Sequence, residues 1–165
     1  MTGTDERNRI MEGVIIEKAR EEQTESIHQL VSRTIREIYS RYYHEEAVRF
    51  FLAYHNPGNI AKDIAAGKTW VAFEDGKIAA TGTADGNHIY RLFTLPEYQG
   101  RGIGTALMNM LEEVILRQYD SVELDASLPA GEFYRKRNYR QTGHGEHPVE
   151  NGKILSYEMM EKRKD

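Results

Sequence analysis

The sequence contains no cysteine. Disulfides, thiolate metal sites and a cysteine nucleophile are therefore excluded. It has no apolar stretch near the roughly 18 residues that a membrane span requires. It has no Asn-x-Ser/Thr glycosylation site, and MTGTDERNRIMEG lacks the apolar core of a signal peptide. A cytoplasmic protein that does not enter a membrane is the expectation. Excess positive charge is missing too. A formal net charge of −4 argues against nucleic acid as a partner, because phosphate binding wants a basic face. No internal repeat and no low-complexity segment occurs. The 165 residues fit one domain, long enough to bury a core without covalent staples. Residues 1–12 are polar and are expected to form a flexible terminus, leaving 13–162 as the folded domain; the EKRKD tail is expected to fray.

VIIEKA (14–19) reads as a strand. From Thr24 to about Tyr39, Ile27, Leu30, Val31, Ile35 and Ile38 recur at helical spacing. Residues 44–56 predict a second helix ended by Pro57-Gly58, and Asn59 is placed to cap a short third helix through Ile60 and Ile64, stopped at Gly67. TWVAFEDGKIAATGTA holds two β-like runs around Asp75-Gly76, a hairpin signal because both turn residues take positive φ. Asp85-Gly86 then precedes HIYRLFTL, a third strand of an antiparallel meander that Pro96 ends. A helical stripe follows at Ile103, Leu107, Met110, Leu111 and Val114. SVELDA (121–126) returns to strand. Pro129 opens another helix that Asn138 stops, and residues 139–160 hold a last strand pair around Glu150-Asn151-Gly152. This order predicts a mixed α/β domain with one strand–helix–strand crossover, not an alternating series.

QGRGIG (99–104) lies between that third meander strand and the helix. Free N–H groups point outward at a helix N-terminus and the helix dipole favours an anion. Glycine lets a phosphate reach the backbone. The spacing is not a P-loop, which would end in Gly-Lys-Ser/Thr. It also misses the dinucleotide fingerprint, whose third glycine would fall where Thr105 stands, although Asp120 or Glu123 lies near the place of its acidic residue. A phosphate seat and a plain flexible turn are both open from the loop alone.

LPEYQGRGIGTALM as a unit resembles the acyl-CoA-binding motif of the GNAT superfamily, the Gcn5-related N-acetyltransferases: Gln/Arg-x-x-Gly-x-Gly/Ala at a strand-to-helix turn. SLPAGEFYRKRNY resembles the family's Asn-x-x-Ala-x-x-Phe-Tyr segment after the fifth strand. The likeness spans roughly residues 14–160. It implies a single-domain GNAT fold: a central, mostly antiparallel, twisted sheet of about seven strands, splayed between strands 4 and 5 and flanked by helices. It further implies acetyl-CoA as cosubstrate, no metal, and direct transfer of the acetyl group to a primary amine of a small molecule or peptide. The resemblance also allows a homodimer.

Residue by residue, the likeness implies pantetheine lying along Phe93, Thr94 and Leu95, with the thioester carbonyl near the Phe93 N–H. The pyrophosphate would rest on Gln99, Gly100, Arg101, Gly102, Ile103 and Gly104, with Thr105 adjoining. Tyr134, beside Phe133, matches the tyrosine that meets the departing CoA sulfur. A thiol of pKa about 8.5 and a tyrosine of about 10 suit that proton transfer. Three departures stand out. Ser127 replaces the family's usual asparagine on CoA. Asn138 replaces a glycine, a change the left-handed conformation tolerates. Ile89 occupies the place of the family's catalytic glutamate and cannot take a proton. Asp85, His88 and Glu123 are candidate bases. The missing glutamate keeps open a second reading, a catalytically silent acyl-CoA sensor or scaffold. A third reading is another phosphate ligand such as NAD or ATP.

His144-x-x-His147 has metal-like spacing but no third ligand, and its flanking Gly and Pro predict a solvent loop. In IYSRYYHEEAVRFFLAYHN the aromatics interleave with Arg41 and Arg49, as on a nucleic-acid surface. The helical spacing of Val48, Phe51 and Leu52 points instead to core packing. Because GNAT early helices often wall the acceptor site, Tyr39, Tyr42, Tyr43 and His44 are candidate pocket residues.

Overall fold

The computed structural model describes residues 13–165; the expected flexible segment 1–12 lies outside the described residues. The strands are β1 (Val14–Lys18), β2 (Thr69–Glu74), β3 (Lys77–Asp85), β4 (His88–Thr94), β5 (Ser121–Ala126), β6 (Arg140–Pro148) and β7 (Ile154–Arg163). The helices are α1 (Thr24–Ile38), α2 (Glu45–Tyr54), α3 (Pro57–Ala65), α4 (Ile103–Leu116) and α5 (Gly131–Lys136). The strands form one seven-stranded sheet in the order β1-β2-β3-β4-β5-β7-β6. Its pairs are antiparallel except β4–β5, which α4 joins as a parallel crossover. This is the mixed α/β architecture expected from the sequence.

Local chemistry explains most boundaries. Asp75 and Gly76 both take positive φ (52° and 80°) between β2 and β3. Asn151 and Gly152 do the same (59° and 70°) between β6 and β7. In α1 the residues Ile27, Leu30, Val31 and Ile35 are buried on one stripe. Helix α3 starts earlier than expected. Asn56, not Asn59, is its cap: the Asn56 side chain accepts from the Asn59 N–H at 2.8 Å. Pro57 is tolerated at the first helical position because its missing N–H would have no intrahelical partner there.

Two buried clusters cover the two faces of the sheet. One gathers α4 against β3, β5 and Ile89 of β4. The other gathers α1 and α3 against Val71 and Phe93. The α4 stripe is wider than its spacing predicts, with Met108 and Ile115 buried and Val114 only partly so. Two further corrections concern the C-terminal third. His144 and His147 lie on strand β6, not in a loop. The EKRKD segment is not frayed: β7 runs through Arg163, and the Lys164 N–H donates to the Asp120 carbonyl at 2.8 Å. No helix among the described residues is long and apolar enough to cross a membrane.

β4 carries the feature that opens the sheet. Thr83 pairs with Tyr90 but Thr81 pairs with Phe93, so β4 holds one extra residue against β3. Arg91 sits at that bulge with φ +51°, in the left-handed region. Ile89 and Phe93, four residues apart, would share a face in an unbroken strand. Here they enter opposite clusters. Pairing of β4 with β5 is limited to His88↔Glu123 and Ile89↔Leu124, and beyond these the strands part.

Candidate active site

The parted strands wall a cleft of about 1070 Å³. Its floor at one end is the glycine loop. Gly100 and Gly102 have φ +78° and +87°, values that L side chains resist. Gly102 is the N-cap of α4 and supplies no side-chain cap, so the first N–H groups of the helix face outward without one. A Cβ added at Gly104 would stand 3.5 Å from Thr94 Oγ1 and 3.9 Å from Phe133 Cζ. These are ordinary contacts, so neighbouring protein atoms do not require glycine there; its bare backbone leaves room in the cleft instead. An anion-binding helix end beside a cavity at a bare glycine fits the diphosphate of CoA.

The cleft brings together Phe93, Thr94, Gln99, Gly100, Gly102, Ile103, Gly104, Thr105, Ser127, Phe133 and Tyr134. Leu95 and Arg101 do not line it. The Leu95 N–H donates to the Ala79 carbonyl at 2.9 Å, and its side chain packs in the α1 cluster. Arg101 is held away by Glu74 at 2.9 Å and lies over the Tyr98 ring. The Leu95 bond has a further consequence. Backbone groups alternate in direction along an antiparallel strand. If Leu95 addresses β3, so does Phe93, whereas Thr94 and Leu92 address the gap. The Thr94 carbonyl accordingly accepts from Gln99 Nε2 at 2.9 Å. The gap-facing N–H groups are therefore those flanking Phe93, not that of Phe93 itself.

Tyr134 is buried, with its ring edge-on to Phe133 at 5.3 Å and to Tyr139 at 5.6 Å. Among the described residues its hydroxyl has no protein partner. It is also not among the enclosed unpartnered polar side-chain atoms, of which Arg137 Nε is the only one among the described residues. The hydroxyl thus opens on the cleft. Burial pushes the phenol above its usual range, the nearby Tyr39 adds to this, and Arg137 opposes it. The group stays protonated. Behind it, buried Glu112 accepts from Tyr139 Oη at 2.7 Å, Arg137 Nη2 at 2.8 Å and Lys162 Nζ at 3.2 Å. This fixes the C-terminal end of α5, which carries Tyr134.

The opposite wall is aromatic. Tyr39 and Tyr43 line the cleft, as expected, but Tyr42 and His44 do not. Tyr42 faces solvent, and His44 caps α2, its Nδ1 accepting from the Ala47 N–H at 3.1 Å. The Leu128 N–H donates to Tyr43 Oη at 2.7 Å, so the turn after α1 is fastened to the loop after β5. Sequence reasoning missed Phe50, Tyr54, His55, Arg91, Asp125, His147 and Tyr157, all of which line the cleft. Of the candidate bases, Asp85 and His88 line it and Glu123 does not. Asp125, two residues along β5, does. Ile89 is 2% exposed, in the core. Among the described residues no group of three His, Asp or Glu side chains could hold a metal.

Arg91 is the most unexpected. Its side chain is 2% exposed; Nη1 meets Asp63 at 2.7 Å, and Nε donates to His55 Nδ1 at 2.9 Å. Burial, and then Arg91, lower the His55 pKa to about 3. The Arg91 guanidinium carbon also lies 5.5 Å from the centre of the Tyr90 ring.

The sequence profile of the acetyltransferase (GNAT) domain matches residues 39–163. No functionally curated protein matches the sequence. Solved structures do. A GCN5-related N-acetyltransferase from Rhodopseudomonas palustris superposes with a TM-score of 0.84 at 25% identity, over 93% of this chain and 97% of its own. The PaiA N-acetyltransferase of Thermoplasma acidophilum, solved with coenzyme A, gives 0.69 at 18% identity, over 91% and 98%. The ribosomal-protein-S18-alanine N-acetyltransferase of Escherichia coli gives 0.67 at 14%, over 91% and 93%. The profile covers most of the chain, and the superpositions show that these acetyltransferases share its fold. The chain belongs to the GNAT acetyltransferase family.

Proposed function

We propose that the protein transfers the acetyl group of acetyl-CoA directly to a primary amine. The observation that carries this reading is the shared cleft. The N–H groups opening α4 and the Tyr134 hydroxyl face one cavity between parted strands. The α4 N-terminus and Gly104 would hold the diphosphate. The Thr94 backbone would pair with pantetheine, and the Leu92 N–H would steady the oxyanion that develops on the thioester carbonyl. Acetyl-CoA supplies an activated acyl group whose leaving atom is a thiol sulfur. The amine nitrogen forms a bond to the carbonyl carbon, the C–S bond breaks, and Tyr134 gives its proton to the sulfur. Solvent then restores the phenol. The amine has to shed a proton, and Asp85, His88 and Asp125 are cleft-lining groups able to take it through water. Without cysteine, the commonest acyl-carrying nucleophile is absent, in keeping with a ternary complex.

A second reading, a silent acyl-CoA-binding module, draws on buried Ile89 at the place of the family's glutamate. Thermal-shift titration with CoA, NAD and ATP, followed by thiol release from acetyl-CoA over an amine panel, separates the readings. Stabilisation by CoA and amine-stimulated thiol release are expected. Stabilisation without turnover of any amine establishes the silent module, and stabilisation by NAD or ATP alone refutes both.

A further inference from the structure

Arg91 and His55 have no part in the acetyl-transfer steps above, yet both are buried polar groups lining the same cleft. Their chemistry can be read atom by atom. A guanidinium Nε is always a donor. His55 Nδ1, 2.9 Å away, is therefore the acceptor. The proton of the neutral imidazole then sits on Nε2. Asp63 engages only Nη1 of the guanidinium. Among the described residues neither Arg91 Nη2 nor His55 Nε2 has a protein partner. The single enclosed polar side-chain atom without a partner among the described residues is Arg137 Nε. Nη2 and Nε2–H consequently open on the cleft.

Both free groups are donors and neither can accept. An ammonium, itself donor-only, finds nothing there. The complement is a group of acceptor oxygens, and two donors, one on a guanidinium, match the two oxygens of a carboxylate. The backbone gives a second indication. Arg91 holds φ +51°, a conformation costly for a side chain of this size, at the bulge that opens the site. The place is close to the transfer point. Phe93 lies 5.6 Å from Tyr39 and 5.4 Å from His55, ring centre to ring centre, and all three line the cleft with Tyr134. The carboxylate of Asp85, also on the cleft, is occupied by Lys68 at 3.2 Å.

We propose that Arg91 and His55 are the carboxylate-binding end of the acceptor site, and that the acceptor is a small amine bearing a carboxylate. This rests on the acetyltransferase reading of the cleft. The test is calorimetric binding of matched pairs to the CoA-loaded protein: phenylalanine against phenethylamine, methionine against 3-methylthiopropylamine, and 4-aminobutyrate against butylamine, with the amino-acid amides as a carbonyl-only arm. At least one carboxylate is expected to bind about tenfold or more tightly than its partner and its amide, one charge-assisted hydrogen bond being of that order. His55→Asn keeps an oxygen for Arg91 Nε and replaces the Nε2–H by a shorter amide donor; Arg91→Lys keeps a charge for Asp63 and removes Nη2 together with the Nε bond to His55. Each is expected to lower that preference about tenfold. No preference, no binding of any pair, or a preference that survives both variants overturns the proposal. Thiol release is measured in parallel. Carboxylate preference without turnover defeats the acetyltransferase reading and leaves the donor pair; turnover without preference does the reverse.

Discussion

Removing one oxygen from Tyr134 isolates its chemistry from its packing. The ring stands edge-on to Phe133 and Tyr139, contacts that Tyr134→Phe retains. The hydroxyl has no protein partner among the described residues, so its loss strands no buried group. The variant should melt within about 3 °C of the parent, equivalent to roughly 1 kcal/mol for a domain of this size. Loss of proton donation to the leaving sulfur should lower kcat about 100-fold, the lower end of what a positioned acid contributes. That is about 2.7 kcal/mol of barrier at roughly 1.36 kcal/mol per decade. KM for acetyl-CoA should move little, because the hydroxyl acts on charge that develops only as the C–S bond breaks. Tyr134→Ala is the contrast: it empties a buried ring site at a cost of about 3–5 kcal/mol and should lower the melting temperature by about 6–20 °C. The pH profile adds an independent check. Burial and Tyr39 hold the phenol protonated beyond its usual range, so kcat should show no Tyr134-dependent fall up to pH about 10. Thiol release in single-turnover and steady-state modes measures all of this. Full kcat in Tyr134→Phe, or a fall below pH about 10 that the variant abolishes, refutes the assignment.

Gly104→Val should fill the space that bare backbone leaves beside Thr94 and Phe133. The free protein should melt within a few degrees of the parent, roughly 1 kcal/mol, and thermal stabilisation by CoA should disappear; retained stabilisation would place the diphosphate elsewhere. Glu112→Ala removes the shared acceptor of Tyr139, Arg137 and Lys162 and leaves buried donors uncompensated. It should cost about 3–5 kcal/mol in chemical denaturation, and a loss under about 1 kcal/mol would show that the cluster does not hold the end of α5. His55 has a folded pKa near 3, well below the ordinary value of about 6.5, so the unfolded chain binds the extra proton between those limits. Stability should therefore rise with pH across that window, by up to about 1.4 kcal/mol per unit from this group. His55→Asn should flatten the slope by that amount, and an unchanged slope would contradict the buried neutral imidazole.

Why some of this could be read from the sequence and some could not is itself physical. Hairpin turns and amphipathic stripes are written within a few residues. Asp75-Gly76 and the α1 stripe of Ile27, Leu30, Val31 and Ile35 fall where local pattern places them. The error at α3 was also local: Asn56 and Asn59 both precede the apolar run, and the proline next to Asn56 was the better guide to the first helical turn. Arg101 and Leu95 fell off the cleft for reasons local pattern does not contain. One is drawn to Glu74, 27 positions away, and the other addresses β3 because the bulge upstream fixes which backbone groups face the gap.

The donor pair was illegible for the same reason in stronger form. Arg91 meets partners 28 and 36 positions earlier, on α3 and at the end of α2. No spacing within HIYRLFTL indicates either. What the strand does carry is a slip of period. Ile89 and Leu92 pack against the same cluster three residues apart, an odd interval that a regular strand cannot give. The polar pair Tyr90-Arg91 occupies the interval. An apolar period that slips by one around two polar residues marks a bulge from sequence alone. In this chain that slip coincides with the point where the sheet opens, so the residue that breaks the alternation is also one that reaches the cleft.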